Sequence, residues 1–250
     1  MRSGLVSLLS ALLAAPLLAT AQPASAPAAE ASAPASALEA RRVYKLYVDV
    51  PPYYFSGDKL NAPATVQVDP DWDKLLSSAN RVDIRRAEEG IGARPELVKP
   101  QTFMVLAMRL YDVGLRDDAV FWYYVGRSRY VTMEDVLDMR SMQLAESAQI
   151  VGRFVHAAEP AMNGYALCSV ARQQAIQDRA IAWVADHPYK VLGYTELPAA
   201  TEDRNAALVA AVQSLRDEAK RDKTLMSDPA NVAALEARRA QTHDHERFCW

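Results

Sequence analysis

The stretch of this chain that comes nearest to a metal-ligating pattern is "HDHERFC", residues 243–249. It offers two imidazoles one residue apart, His243 and His245, and a thiol at Cys249. Imidazole and thiolate suit zinc or copper. The two histidines share a side only if the segment is extended, however, and Cys249 has a competing partner in Cys168. No metal and no cofactor are therefore expected. "SGDK" (56–59) has the Ser-x-x-Lys spacing of serine acyl enzymes, but Gly57 and Asp58 make it a turn, and no Lys-Thr-Gly or Ser-Asp-Asn motif accompanies it. "GIG" (90–92) lacks the third glycine and the preceding strand of a dinucleotide loop. His156 and His187 are expected near helix ends, where imidazole suits the negative end of the dipole. Aromatic residues beside Arg127 and Arg129 could stack bases or sugars, although a core helix explains them better. No catalytic residues are assigned.

The ends and the composition set the frame for these candidates. A single early charge, Arg2, precedes an apolar run over 5–18, and Ala19-Thr20-Ala21 supplies a small-x-small cleavage site. That is the pattern of a secretory signal peptide over 1–21, the apolar run being shorter than the roughly 20 residues of a spanning helix. Residues 22–40 are almost entirely Ala, Pro and Ser, the composition of a disordered tether. Residues 41–250 are long enough for a single helical domain. The formal charge of −3, with signs interspersed, argues against nucleic acid as a partner. A periplasmic or secreted location is expected, with no membrane-embedded segment after cleavage. In such an oxidising compartment the two cysteines, Cys168 and Cys249, are expected to form a disulfide. Two separate thiols, or one thiol with a metal, are the alternatives.

The elements read as mainly α, an irregular array of about 7–8 helices. "VYKLYVDV" (43–50) alternates, placing Tyr44, Leu46, Val48 and Val50 on one face and Lys45, Tyr47 and Asp49 on the other. With "ATVQV" as the return strand, it suggests a small N-terminal β-hairpin. Asp69-Pro70 and Asp228-Pro229 both read as an N-cap followed by proline at the first helical position. Helices are expected at about 83–89, 100–113, 116–129 and 161–186, and again at about 202–222. The Thr132 to Asp135 stretch resembles a capping box that opens a further helix running to about His156. The charged run "SLRDEAKRDK" (214–223) reads as a solvated face.

Four consecutive aromatics, Phe121, Trp122, Tyr123 and Tyr124, sweep nearly the whole circumference of a helix, because successive residues are about 100° apart. A surface helix needs one apolar stripe. This helix must be enclosed on several sides, with the Tyr123 and Tyr124 hydroxyls expected at the wet rim. Gly114 is placed to cap the preceding helix. Ala107, Leu110, Gly114, Ala119, Tyr123 and Gly126 fall where tetratricopeptide repeats place their small and large packing residues. "LYDVGLRDDAVFWYY" (110–124) likewise resembles a Sel1-type repeat. The resemblance covers about residues 103–130 and implies one repeat-like helical hairpin, with Phe121 and Trp122 joining the six residues above in its core.

Helical hairpin arrays present grooves suited to other proteins. The expected function is therefore an exported protein-binding module, of the adaptor or immunity type, with a protein partner. A small-ligand or metal-binding envelope protein is the alternative, as is an enzyme whose site is assembled from distant residues.

Overall fold

The computed structural model describes residues 38–56 and 62–250. The expected signal peptide, the tether up to residue 37 and the 57–59 part of the Ser-x-x-Lys motif lie outside the described residues.

The architecture is mainly helical, with a small antiparallel sheet on the N-terminal side. Strands β1 (Asp49–Val50), β2 (Tyr54–Phe55) and β3 (Thr65–Val66) pair in the order β1-β2-β3, with Asp49 opposite Phe55 and Tyr54 opposite Val66. The expected strand over 43–50 thus contracts to its last two residues, and its return is Tyr54-Phe55. Backbone donors explain the change. The N–H of Val43 goes to the Arg247 carbonyl, that of Leu46 to the Asp112 carboxylate and that of Val48 to the Ser56 hydroxyl. No ladder can form where the donors are committed elsewhere. Lys45, expected on the face opposite Leu46, is buried and donates to the Ala62 carbonyl.

Among the described residues nine helices follow: α1 (Asp73–Leu76), α2 (Arg81–Ala93), α3 (Pro100–Asp112), α4 (Arg116–Val136), α5 (Ala145–Ala166), α6 (Val170–Asp186), α7 (Arg204–Met226), α8 (Pro229–Gln241) and α9 (Asp244–Phe248). Local chemistry sets several starts. Asn80, Ser169, Asp203 and Asp228 each accept a first-turn N–H on the side chain. Gly114 ends α3 at φ +78°, a backbone state that glycine adopts without penalty.

Other boundaries were set by packing and differ from expectation. Asp69-Pro70 opens a turn rather than a helix. The Asp73 carboxylate accepts from the N–H groups of Val68 and Asp69, so α1 begins only there. Helix α2 runs on through the "GIG" segment. The indole of Trp72 lies where a Cβ on Gly90 would be, 2.3 Å from its nearest ring atom, so that glycine serves close packing. Thr132 does not cap a new helix. It is buried inside α4, donates to the Arg129 carbonyl, and the helix continues to Val136. Helix α5 crosses the expected break near residue 160. Pro160 lies on its exposed side, where a freed carbonyl can turn to solvent.

Helix α4 is the centre, packed against α3, α5, α6 and α7. Ala107 and Leu110 on α3, and Ala119, Trp122 and Tyr123 on α4, are buried, and Phe121 is half-buried beneath the Arg179 guanidinium. Trp122 stacks on Phe103 at 5.4 Å, meets Trp183 edge-on at 5.2 Å and donates its indole N–H to Glu88. At Gly126 the helices are so close that a Cβ would stand 3.1 Å from that of Phe103. The tyrosine hydroxyls are not at a wet rim. Tyr124 accepts from Gln173, and the Tyr123 hydroxyl is buried without a partner among the described residues.

Two buried arginines join the layers. Arg109 pairs with Asp112 and donates to the carbonyls of Leu76 and Ser78, while Asp112 receives the Leu46 N–H at 2.7 Å. This ties the segment after α1 and the N-terminal segment to α3. Arg129 donates to the carbonyls of Pro95, Val98 and His187 and lies against the rings of Phe103 and Tyr189. Burial holds its guanidinium below the usual range, at about 10.

Truncating Trp122 to Ala should cost about 3–5 kcal/mol in chemical denaturation, as for a large aromatic lost from a core. Asp112→Ala strands a buried guanidinium and should cost about 3–5 kcal/mol by the same measurement. Burial pushes the Asp112 carboxyl up to about 6 from its ordinary 3.8, against the opposing pull of Arg109. The folded state then holds this proton more tightly than the unfolded chain. The contribution of Asp112 to stability is therefore greatest below about pH 4 and declines as pH rises to about 6. A carboxyl-carbon NMR titration of the native protein should show a midpoint near 6, and a midpoint at or below 4 would contradict it.

Candidate functional site

The chain end helps to build a concave surface. On α8, Leu235 and Arg239 are four residues apart, hence on one face, and both are buried. A tight turn with His243 in the left-handed region (φ 54°) sends α9 back across α5. Phe248 of α9 is buried against Gly164, where a Cβ would stand 2.5 Å from its ring. The next residue, Cys249, is bonded to Cys168 at the α5–α6 junction, with Cα atoms 5.5 Å apart. The tail is a packed strap, held covalently by the expected disulfide.

Between that strap and helices α4, α5 and α6 lies a cleft of about 380 Å³. Its apolar lining includes Leu167, Leu235 and Phe248, and Tyr124 and Gln173 supply polar groups from α4 and α6. Tyr124 is only 3 % exposed. Burial pushes its phenol up to about 12, so it stays protonated, and since it accepts from Gln173 it keeps its own proton to donate. Three arginines, Arg238, Arg239 and Arg247, line the strap side. Arg239, 2 % exposed, donates to the Gly164 carbonyl at 3.1 Å and lies 3.1 Å from the Cys249 sulfur. Its Nε is buried without an acceptor among the described residues. Asp244 is 4.0 Å from Arg239 and 3.6 Å from Arg247, so one carboxylate is shared between two guanidinium groups. Burial lowers the Arg239 guanidinium from its usual range, with Asp244 opposing that shift.

The sequence candidates fall elsewhere or apart. His243 accepts from Arg41 at 3.1 Å, His245 bonds Glu236 at 2.7 Å, and Cys249 is held in the disulfide. These three do not converge, and no group of three His, Cys, Asp or Glu among the described residues could hold a metal ion. Ser56 is buried and bonds Val48 and Asp49 rather than opening a helix. His187 does follow the end of α6, its ring bonding the Trp183 carbonyl, but His156 stands in the middle of α5 on the exposed side. Arg129 is buried, and Arg127 faces Glu218 at 3.7 Å, so neither heads an exposed stacking platform. The charged run at 214–223 is not wholly solvated, since Asp222 is buried.

Sequence reasoning passed over the cleft residues Tyr124, Gly164, Gln173 and Arg239. One signal was available, the four-residue offset between Leu235 and Arg239, which places the arginine on the apolar face of its helix.

No family model and no solved structure matches this chain. A protein of Haemophilus influenzae does. It is 29 % identical over 218 residues, covering 86 % of this chain and 83 % of its own, and is described as an uncharacterized protein. The similarity therefore extends over most of the chain. No described helix is long and apolar enough to cross a membrane.

Opening the disulfide should lower the melting temperature. The loop it closes spans 81 residues, for which chain entropy gives an upper figure of about 4 kcal/mol. Thermal unfolding with and without reductant, or of the Cys168→Ser/Cys249→Ser double variant, measures this. An unchanged melting temperature would show that the strap is held by Phe248 and Arg239 alone. Gly164→Ala should displace Phe248 and cost about 1–3 kcal/mol, the range for overpacking a core.

Proposed function

We propose that this chain is an exported protein-binding module of the adaptor or immunity type, with the cleft beneath α8 and α9 as its contact site. In this reading the hairpin of α3 and α4 is the Sel1/tetratricopeptide-like core, and it supports the site, reaching the cleft through Tyr124. The observation that carries the reading is the cleft itself. It sets apolar Leu167, Leu235 and Phe248 beside three arginines and the Tyr124 hydroxyl, a mixture that binds a partner's side chains or chain end. The same groups lack the pairing of nucleophile and base on which covalent catalysis depends. A strap fixed by a disulfide suits an oxidising compartment.

The test is capture by the full chain in its own cell envelope, with chemical crosslinking and mass spectrometry, beside an Arg238→Glu/Thr242→Glu variant. Both positions line the cleft and are exposed, so the fold should survive. One partner at a fixed stoichiometry with the natural chain, and its loss with the variant, is the expected result. No partner, or one captured equally by both chains, would count against the proposal.

A further inference from the structure

Resting on the binding-module reading, we infer that the cleft receives the C-terminal carboxylate of a partner polypeptide whose last residue is apolar.

Charge is the first ground. On the strap side the cleft presents Arg238, Arg239 and Arg247, against the single carboxylate of Asp244. On the opposite wall Glu159 is already engaged, with the Asn163 amide at 3.4 Å and His156 at 4.0 Å. The strap side is thus short of negative charge, and an incoming anion would supply it. Guanidinium groups suit carboxylates in particular, because their planar donor fork matches the two oxygens.

Unfilled hydrogen-bonding capacity is the second. Arg239 is buried with its Nε lacking an acceptor among the described residues, and it lines the cleft rather than a sealed core. Across the space, the Tyr124 hydroxyl accepts from Gln173 and retains its proton. Both residues line the cleft. A carboxylate, an acceptor at both oxygens, meets them better than an amide or an alcohol would.

Size is the third. About 380 Å³ lies at the low end of the range for ligand sites, roughly 300–1,000 Å³. It is enough for a chain end and too little for a folded surface. The apolar surfaces of Leu167, Leu235 and Phe248 next to the charged side would hold the last side chain. Exposed Pro160, Arg238 and Thr242 mark the mouth through which the preceding residues would leave.

The experiment is isothermal titration of the full chain with acetyl-Ala-Ala-Leu bearing a free carboxylate, beside its C-terminal amide and beside octanoate. The expected result is saturable binding of the acid at least tenfold tighter than the amide. Arg238→Ala should weaken the acid by a similar factor and leave the amide unchanged. Arg239→Ala removes a buried tie and can unfold the chain, so the exposed Arg238 carries the test, with circular dichroism confirming its fold. Equal affinity for acid and amide, or octanoate binding where the peptide acid does not, would overturn the inference. So would a failure of both acids to bind. Partner capture that survives Arg238→Ala would remove the carboxylate role while leaving the binding-module reading in place.

Discussion

A helix with no exposed stripe constrains everything around it. Because Trp122, Tyr123, Tyr124 and Val125 are all buried on α4, the chain must bring cover to it from every direction. Helix α3 closes one side through the near-contact at Gly126, and α5, α6 and α7 close the others. The aromatic cluster of Phe103, Trp122 and Trp183 draws on three different helices, so none of them can leave without exposing the other two. The helices appended outside this group, α8 and α9, pack mainly against α7 and α5 and against each other. It is there that the packing leaves a cleft.

Arginine provides the second organising theme. Arg109, Arg129, Arg204 and Arg239 each reach backbone carbonyls in distant turns or helix ends. A guanidinium group can satisfy several carbonyls at once because its five donors fan out in a plane. In a chain with only nine glycines, the loops are drawn onto the helices by these side chains rather than shaped by backbone freedom. Arg129 is the extreme case, a buried cation that donates to three carbonyls and lies against aromatic faces. Arg239 shares with Arg129 a buried Nε that has no acceptor among the described residues, but it lines the cleft.

How much of this could be read from the residues depended on the range of the determining interaction. The helical class and the caps at Asp228 and Gly114 were legible, because each is settled within a turn of its own position. The Thr132 boundary was not: a local cap signal lost to the burial of Tyr130, Met133 and Val136, which kept α4 intact. The strand over 43–50 had the right alternation but lost its donors to Asp112 and Arg247, far along the chain. The cleft was out of reach for the same reason. Its defining bonds join residues 49 and 75 positions apart, Gln173 with Tyr124 and Arg239 with Gly164. The histidines at 243 and 245 suggested metal because spacing alone cannot show that each already faces a charged neighbour on a different element.

The two ends of the described domain also meet. The Val43 N–H bonds the Arg247 carbonyl, and the ring of Trp250 packs between Tyr44 and the guanidinium groups of Arg42 and Arg116. A pull on the residues before Arg41 is therefore borne first by the C-terminal strap. From Arg247 the load passes within two residues to Cys249, and through the disulfide to the α5–α6 junction. Tension entering at the N-terminal edge thus has a path into the middle of the array that is covalent once past the Val43–Arg247 hydrogen bond, and that path runs along the rim of the cleft.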